Sequence, residues 1–165
     1  MNYPVFNRAL VEDRLRFIEK SVESLGRFRG LSLDEFSADP DFFRIAYYDL
    51  YTALEACLDI GAHFLSRLPG VAPKTYRDIP LLLAEQKILP KRFVEAKFAA
   101  MAGYRNRLSH FYHRLSPAEI LEILKTGLDD FKEFGRHIRN VLLSSDELLK
   151  KKPIRKKKKL RRQRL

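Results

Sequence analysis

The sequence predicts an all-α fold, an up-and-down bundle of four to five helices. Long stretches repeat apolar residues at helical spacing with charges between them, and none shows the sustained period-two alternation of β-branched residues that a sheet needs. Glycine- and proline-rich breaks punctuate those stretches at intervals suited to helices of bundle length. At 165 residues, 45% apolar and 12% aromatic, the chain has enough hydrophobic material for a single core.

The first helix follows from Phe6, Leu10, Leu15, Phe17, Ile18, Val22, Leu25 and Phe28, spaced so that one stripe is apolar. Two glycines in "GRFRGLSLDEFSADPDFF" break it, and Ser37 to Asp41 supply N-caps for the next helix. That second helix, from Phe42 to Phe64, is apolar over most of its circumference and so belongs at the centre of the bundle or at an interface. A proline-rich loop, "PGVAPKTYRDIP", leads to a short helix around Ile79 to Lys87, closed by "ILP". Another helix begins at Lys91 and carries Phe93, Val94, Phe98 and Met101. The last starts at Ser116-Pro117, where serine can cap and proline suits the first helical position, and runs at least to Leu142.

The formal charge of +11 is unevenly placed. Residues 150–165, "KKKPIRKKKKLRRQRL", hold 11 of the 32 basic residues and no acid, leaving 21 basic and 21 acidic residues in 1–149. We therefore expect a near-neutral folded domain over 1–149 and a self-repelling, disordered appendage over 150–165. The appendage reads either as a solubilising tail or as a nucleic-acid tether through Lys156, Lys157, Lys158, Lys159, Arg161 and Arg162. The lone cysteine, Cys57, sits in "LEACLDIGA" and reads as a small buried hydrophobe. With no apolar run of signal-peptide or membrane-span type, the expectation is a cytoplasmic protein without membrane association.

Most familiar chemistry is missing from the pattern: there is no glycine-rich phosphate loop, no zinc-type spacing of cysteine and histidine, and no G-x-S-x-G elbow. His63 reads as a satisfied core or surface histidine, His137 as solvated, and the adjacent Asp129-Asp130 as a poor metal clamp, so no metal site or cofactor is expected. The exception is Tyr104 to Pro117, "YRNRLSHFYHRLSP", with three arginines, two histidines and two tyrosines in fourteen residues. At about 100° per residue, Arg105, Ser109 and Tyr112 share one helical face, while His110 points well away from Arg105. Either the helix breaks near Ser109, or the arginine and a histidine meet through a second copy of the chain.

Read as a whole, Asp78 to Ser116, with the short helix before "ILP", the "MAGYRN" approach and R-x-x-x-x-H-x-Y as Arg105, His110 and Tyr112, closely resembles the HEPN superfamily and its HepT-like toxins. The likeness extends more loosely over 5–142, and the basic tail lies outside it. It implies a homodimeric bundle with the motif lining a cleft between subunits. The function implied is that of a toxin in a type VII-like toxin–antitoxin system, a metal-independent endoribonuclease acting on RNA. Arg105 would hold the scissile phosphate, His110 would move protons, and Asn106 would orient either. Tyr112 would accept AMP from an MntA-like nucleotidyltransferase antitoxin that silences the enzyme, or it is simply a core or interface aromatic. Arg107, His113 and Arg114 carry no assigned role. The alternative within the same resemblance is a non-catalytic RNA- or nucleotide-binding module, or a regulatory partner of the transferase.

Overall fold

The computed structural model describes residues 6–110 and 114–151, with side chains as far as Ser145. Helix α1 (Arg8–Gly26) starts where the Asn7 side chain accepts the Leu10 N–H at 3.2 Å, and it buries Val11, Leu15, Ile18, Val22 and Leu25 along one stripe. A short α2 (Leu33–Ala38) occupies the stretch expected to be a plain break. It is nucleated by a capping box in which Ser32 and Glu35 satisfy each other's backbone N–H groups. Its one buried side chain, Phe36, packs edge-on against Phe28 at 5.5 Å between ring centroids.

Helix α3 (Pro40–Leu65) is capped by Asp39, within the expected Ser37 to Asp41 stretch, and begins at proline two residues before the expected Phe42. It packs against α1 most extensively and also meets every other long helix, so its broad apolar surface is consumed at the centre. The exception lies in its N-terminal half, where Ile45 and Tyr48 remain exposed beside a ladder of Phe43, Tyr47 and Tyr51 rings. Helix α4 (Asp78–Glu85) lies so close to α3 that a Cβ on Gly61 would stand 2.6 Å from Ile79 Cγ2 and 2.9 Å from Leu83 Cδ1.

A continuous helical rod follows, made of α5 (Lys91–Phe93), a π-helical turn (Val94–Phe98) and α6 (Ala99–His110). The π turn brings Phe93 and Phe98, five positions apart, onto one side, with stacked rings 6.1 Å apart facing Phe134 and His137. In a regular α-helix the same two positions diverge by about 140°. Finally α7 (Pro117–Lys151), 35 residues long, starts with the Glu119 N–H donating to Ser116 Oγ at 3.2 Å. It closes the bundle with Ile120, Leu124, Leu128, Phe131, Phe134 and Ile138.

The described residues are thus all helical where they are ordered into elements, with α1, α3, the α5–α6 rod and α7 as long members and α2 and α4 as short ones. No helix among them is long and apolar enough to cross a membrane. Cys57 is fully buried, and burial pushes its thiol well above its ordinary pKa. His63 accepts the Asn7 backbone N–H through Nε2 at 2.9 Å, tying α3 to the start of α1. Burial and the nearby Arg67 hold its pKa below the usual histidine value, which suits an acceptor. His137, expected in water, is instead largely covered and lies 4.8 Å from the Phe93 ring, because the π turn presents that ring to α7. Asp129 pairs with Arg29 and Lys132, and Asp130 with Lys97, so each acid is engaged separately.

Candidate active site

Arg105 is the sole buried charged residue among the described residues, 7% exposed. Burying a guanidinium is costly unless it is paired, and the pairing is supplied by Glu55 on α3. Arg105 Nε donates to Glu55 Oε2 at 2.5 Å and Nη2 donates to Oε1 at 3.1 Å, a two-pronged contact across the α3–α6 interface. The Tyr76 ring covers the guanidinium at 3.6 Å from its centroid, with Tyr51 at 6.0 Å on another side. Tyr76 also donates its hydroxyl to Glu55 Oε1 at 3.3 Å. Those hydrogen bonds to Glu55 raise the Arg105 pKa further, while the negative charge of Glu55 raises that of the Tyr76 phenol.

The loop that delivers Tyr76 is held from its own end. Asp78, in the first turn of α4, accepts the Lys74 N–H at 2.9 Å and the Thr75 N–H at 2.8 Å, which holds its carboxyl below the usual range. On the other side, the last turn of α6 is fastened by the Tyr47 hydroxyl donating to the Leu108 carbonyl at 3.0 Å. Arg107 reaches Glu119 of α7 at 2.7 Å, so this unassigned arginine braces α6 against α7.

Between loop and helix lies a groove of about 560 Å³ lined by Thr75, Tyr76, Arg77, Arg105, Asn106, Ser109 and His110. Helix α6 runs unbroken through Ser109 to His110, so of the two alternatives the break near Ser109 is not there. Arg105 and His110 instead share one concavity because the groove wraps around the helix. Arg105 forms its buried inner wall, His110 its exposed outer rim, and Asn106 and Ser109 lie between, an arc of about 140° at 100° per residue. Tyr112, His113 and the tail residues Lys156, Lys157, Lys158, Lys159, Arg161 and Arg162 lie outside the described residues.

Sequence reasoning did not anticipate Glu55, Tyr76, Thr75 or Arg77. Glu55 stands alone among apolar residues in "TALEACL", a pattern that asks for a partner in the core. That partner is 50 residues away in the chain, which no periodicity reveals.

The family model for HepT-like ribonucleases matches residues 18–138. The chain belongs to the HepT-like ribonuclease family. Its family places it among RNA-cleaving enzymes, and the matched span contains α3, the groove and most of α7. It is 26% identical over 138 residues to a tRNA nuclease HepT of Aphanizomenon flos-aquae, an alignment covering 84% of this chain and 93% of that protein. An mRNA nuclease HepT of Shewanella oneidensis is 28% identical over 86 residues, 52% of this chain and 64% of that one. Among solved structures, the tri-AMPylated Shewanella oneidensis HEPN toxin in complex with MNT antitoxin superposes with a TM-score of 0.71 at 22% identity, covering 81% of this chain and 99% of that one. A toxin–antitoxin structure with AMP-PNP superposes with the same TM-score at 21% identity and the same coverage. The HepT-like bundle is therefore the fold of this chain.

Proposed function

We propose that the protein is a metal-independent endoribonuclease toxin of a type VII-like toxin–antitoxin system, acting in the cytoplasm as a homodimer through Arg105 and His110. The observation that carries this reading is the single groove that Arg105, Asn106 and His110 share in a chain of a ribonuclease family. Two subunits facing each other across that groove supply two imidazoles to one phosphodiester. One His110 takes the proton from the ribose 2′-hydroxyl, whose oxygen attacks phosphorus. The P–O5′ bond breaks, and the other copy's His110 gives its proton to the departing oxygen, leaving a 2′,3′-cyclic phosphate and a 5′-hydroxyl. Arg105, charged at any working pH, holds the non-bridging oxygens and the charge they gain.

Glu55 acts as a positioning residue in this scheme. It engages Nε and one N–H of Nη2, so Nη1 and the second N–H of Nη2 are the prongs available to phosphate. Asn106, on the groove wall between the two, has both a donor and an acceptor for orienting His110 or the phosphate. Tyr112 follows His110 by two residues and is the proposed AMP acceptor of an MntA-like nucleotidyltransferase partner, which would bring bulk and negative charge to the phosphate site. Residues 150–165 are proposed as a separate basic tether for RNA through Lys156–Lys159, Arg161 and Arg162.

Purified protein is expected to cleave single-stranded RNA in EDTA and to leave the 2′-deoxy analogue intact, with His110→Ala and Arg105→Ala each slower by about 10²-fold or more, the scale of losing an acid–base or charge-stabilising group. Unchanged cleavage in both variants would remove this groove from the mechanism. With the partner transferase and ATP, wild type should gain AMP mass and Tyr112→Phe should not. A second reading, a non-catalytic RNA- or nucleotide-binding module, draws on the Arg105–Glu55 pair, which satisfies the guanidinium without any phosphate. Intact RNA after long incubation with wild-type dimer would favour it.

A further inference from the structure

At the other end of α4 from the active-site groove there is a second concavity of about 550 Å³. Its walls come from the last turn of α4 and the following loop (Ala84, Lys87, Ile88, Leu89, Pro90), the start of α5 (Lys91) and the middle of α7 (His137, Asn140, Val141, Ser144). The polar groups it gathers are two ammonium groups, an imidazole, an amide and a hydroxyl, and none of its lining residues is a carboxylate. Two other concavities on the α1–α7 side differ in this respect, since they place Glu19 with Glu23 or Glu12 beside their cations. A wall of donors over an apolar floor, without acids, suits an anion with some apolar bulk, which describes a phosphodiester-linked ribose better than it describes a free cation or a peptide strand.

Lys87 adds an independent observation. The chain leaves α4 with the Ile88 N–H donating to the Leu83 carbonyl at 2.9 Å and the Lys87 N–H to that of Ala84 at 3.0 Å, a closure that puts Lys87 in the left-handed region at φ +57°. It is the one non-glycine residue with positive φ among the described residues. Glycine adopts that conformation without steric cost, so a lysine there works against the local backbone and makes sense where its charge has a use. Lys87 has no ion pair among the described residues, whereas Lys91 makes an exposed one with Glu95 at 3.5 Å. His137 lines the inner side of the concavity, with its Nε2 buried 3.6 Å from Glu133 Oε1 and so turned away from a ligand.

We infer that this concavity is an exosite for the RNA backbone, in which Lys87, Lys91, Asn140 and Ser144 hold a phosphodiester outside the cleavage groove. The inference rests on the ribonuclease reading above. The active-site groove reaches Arg105 and this one reaches Lys91, which at 1.5 Å per residue lie about 21 Å apart along the helical rod. Single-strand binders of the OB-fold class engage about 4–16 nucleotides, and a strand of comparable length would reach both concavities. The far rim, Ser144, is about 10 Å along α7 from Lys151, after which the basic run of the sequence continues.

The test compares full-length wild type with Lys87→Gly, Lys87→Gly/Lys91→Gln and Asn140→Glu. Binding of a fluorescent single-stranded RNA oligonucleotide is followed by anisotropy across a salt series in a His110→Ala background, and cleavage kinetics are followed in the native background. Lys87→Gly suits the backbone it replaces, so lost affinity in a chain at least as thermostable as wild type reports the charge and not the fold. The double variant is expected to bind about tenfold more weakly, with a log–log salt slope shallower by about 1.4, two single-strand phosphate contacts at ~0.7 each. In cleavage, KM should rise by the same factor with kcat unchanged. Wild-type cleavage combined with unchanged slope and KM in all three variants overturns the exosite and leaves the cleavage reading standing. If wild type neither binds nor cleaves RNA, that reading falls and the exosite with it. Unchanged RNA binding with lost capture of the partner transferase would make the concavity a protein-docking surface and likewise overturn the proposal.

Discussion

Phe134 lies in the apolar core: the ring is fully buried, 4.9 Å from Phe98, in an interior shared with Leu124, Leu128 and Ile138. Around Arg105 the same bundle buries charge, and it spends Glu55, Tyr76 and Tyr51 to do so. Both places are well packed, yet the physics differs. Burying a phenylalanine lowers the free energy through the area it removes from water, whereas a buried ion pair loses hydration about as large as its mutual attraction. A stability argument alone would fill the Arg105 position with methionine or leucine. Stability alone therefore does not account for the charge pair, which stands where we propose that the RNA phosphate is held.

Substitutions can sharpen that contrast. The largest stability loss should come from Phe134→Ala, about 3–5 kcal/mol from lost burial and the cavity left behind, measured as a lower midpoint in urea. Glu55→Leu alone should cost about 3 kcal/mol, since it strands the buried guanidinium, and RNA cleavage should fall with it. The paired change Glu55→Leu with Arg105→Met should recover most of that stability without recovering cleavage. Recovery of both would mean that the pair is structural only. Gly61→Ala should cost about 1–3 kcal/mol by pushing α4 off α3, and because α4 anchors the Tyr76 loop, KM for RNA should rise as well.

The smallest effects should appear on acidification. Arg29 and Lys132 pull the Asp129 carboxyl down to about 2, and backbone donors and Lys97 lower Asp78 and Glu133 respectively. A carboxyl with a depressed folded-state pKa stabilises fully above its unfolded value of about 4 and loses that contribution as pH falls through the folded value. The urea midpoint should therefore decline from about pH 5 towards pH 2, below an earlier small fall near pH 6.5 where the lowered pKa of His63 opposes its protonation, with a shallower acid decline in Asp129→Asn. All three side chains are accessible, so the decline should also shrink in high salt.

Much of the bundle can be read without coordinates. The caps at Asp39 and Ser116, the proline start at Pro117 and the apolar stripes of α1 and α7 are local patterns, and these helices begin within a few residues of where they say. Helix α2 was readable too, because Ser32 and Glu35 form the serine–glutamate box of a helix start, but its six residues yield to the glycines around them in a periodicity scan. The π turn has no such signature. It is set by Phe93 and Phe98 both finding α7, a contact that forms only when the bundle closes.

What the sequence determined by itself is the helical class, the approximate helix ends, the neutral charge of 1–149 and the motif that carries Arg105, Asn106 and His110. All of these depend on neighbours a few residues apart, where spacing and side-chain chemistry suffice. Tertiary structure alone decided that Arg105 is buried against Glu55, that Tyr76 covers it, and that His110 joins it in one groove by curvature around α6. The first two relations link residues 29 to 50 positions apart, and nothing in the linear pattern encodes which distant side chain will stand opposite a buried charge.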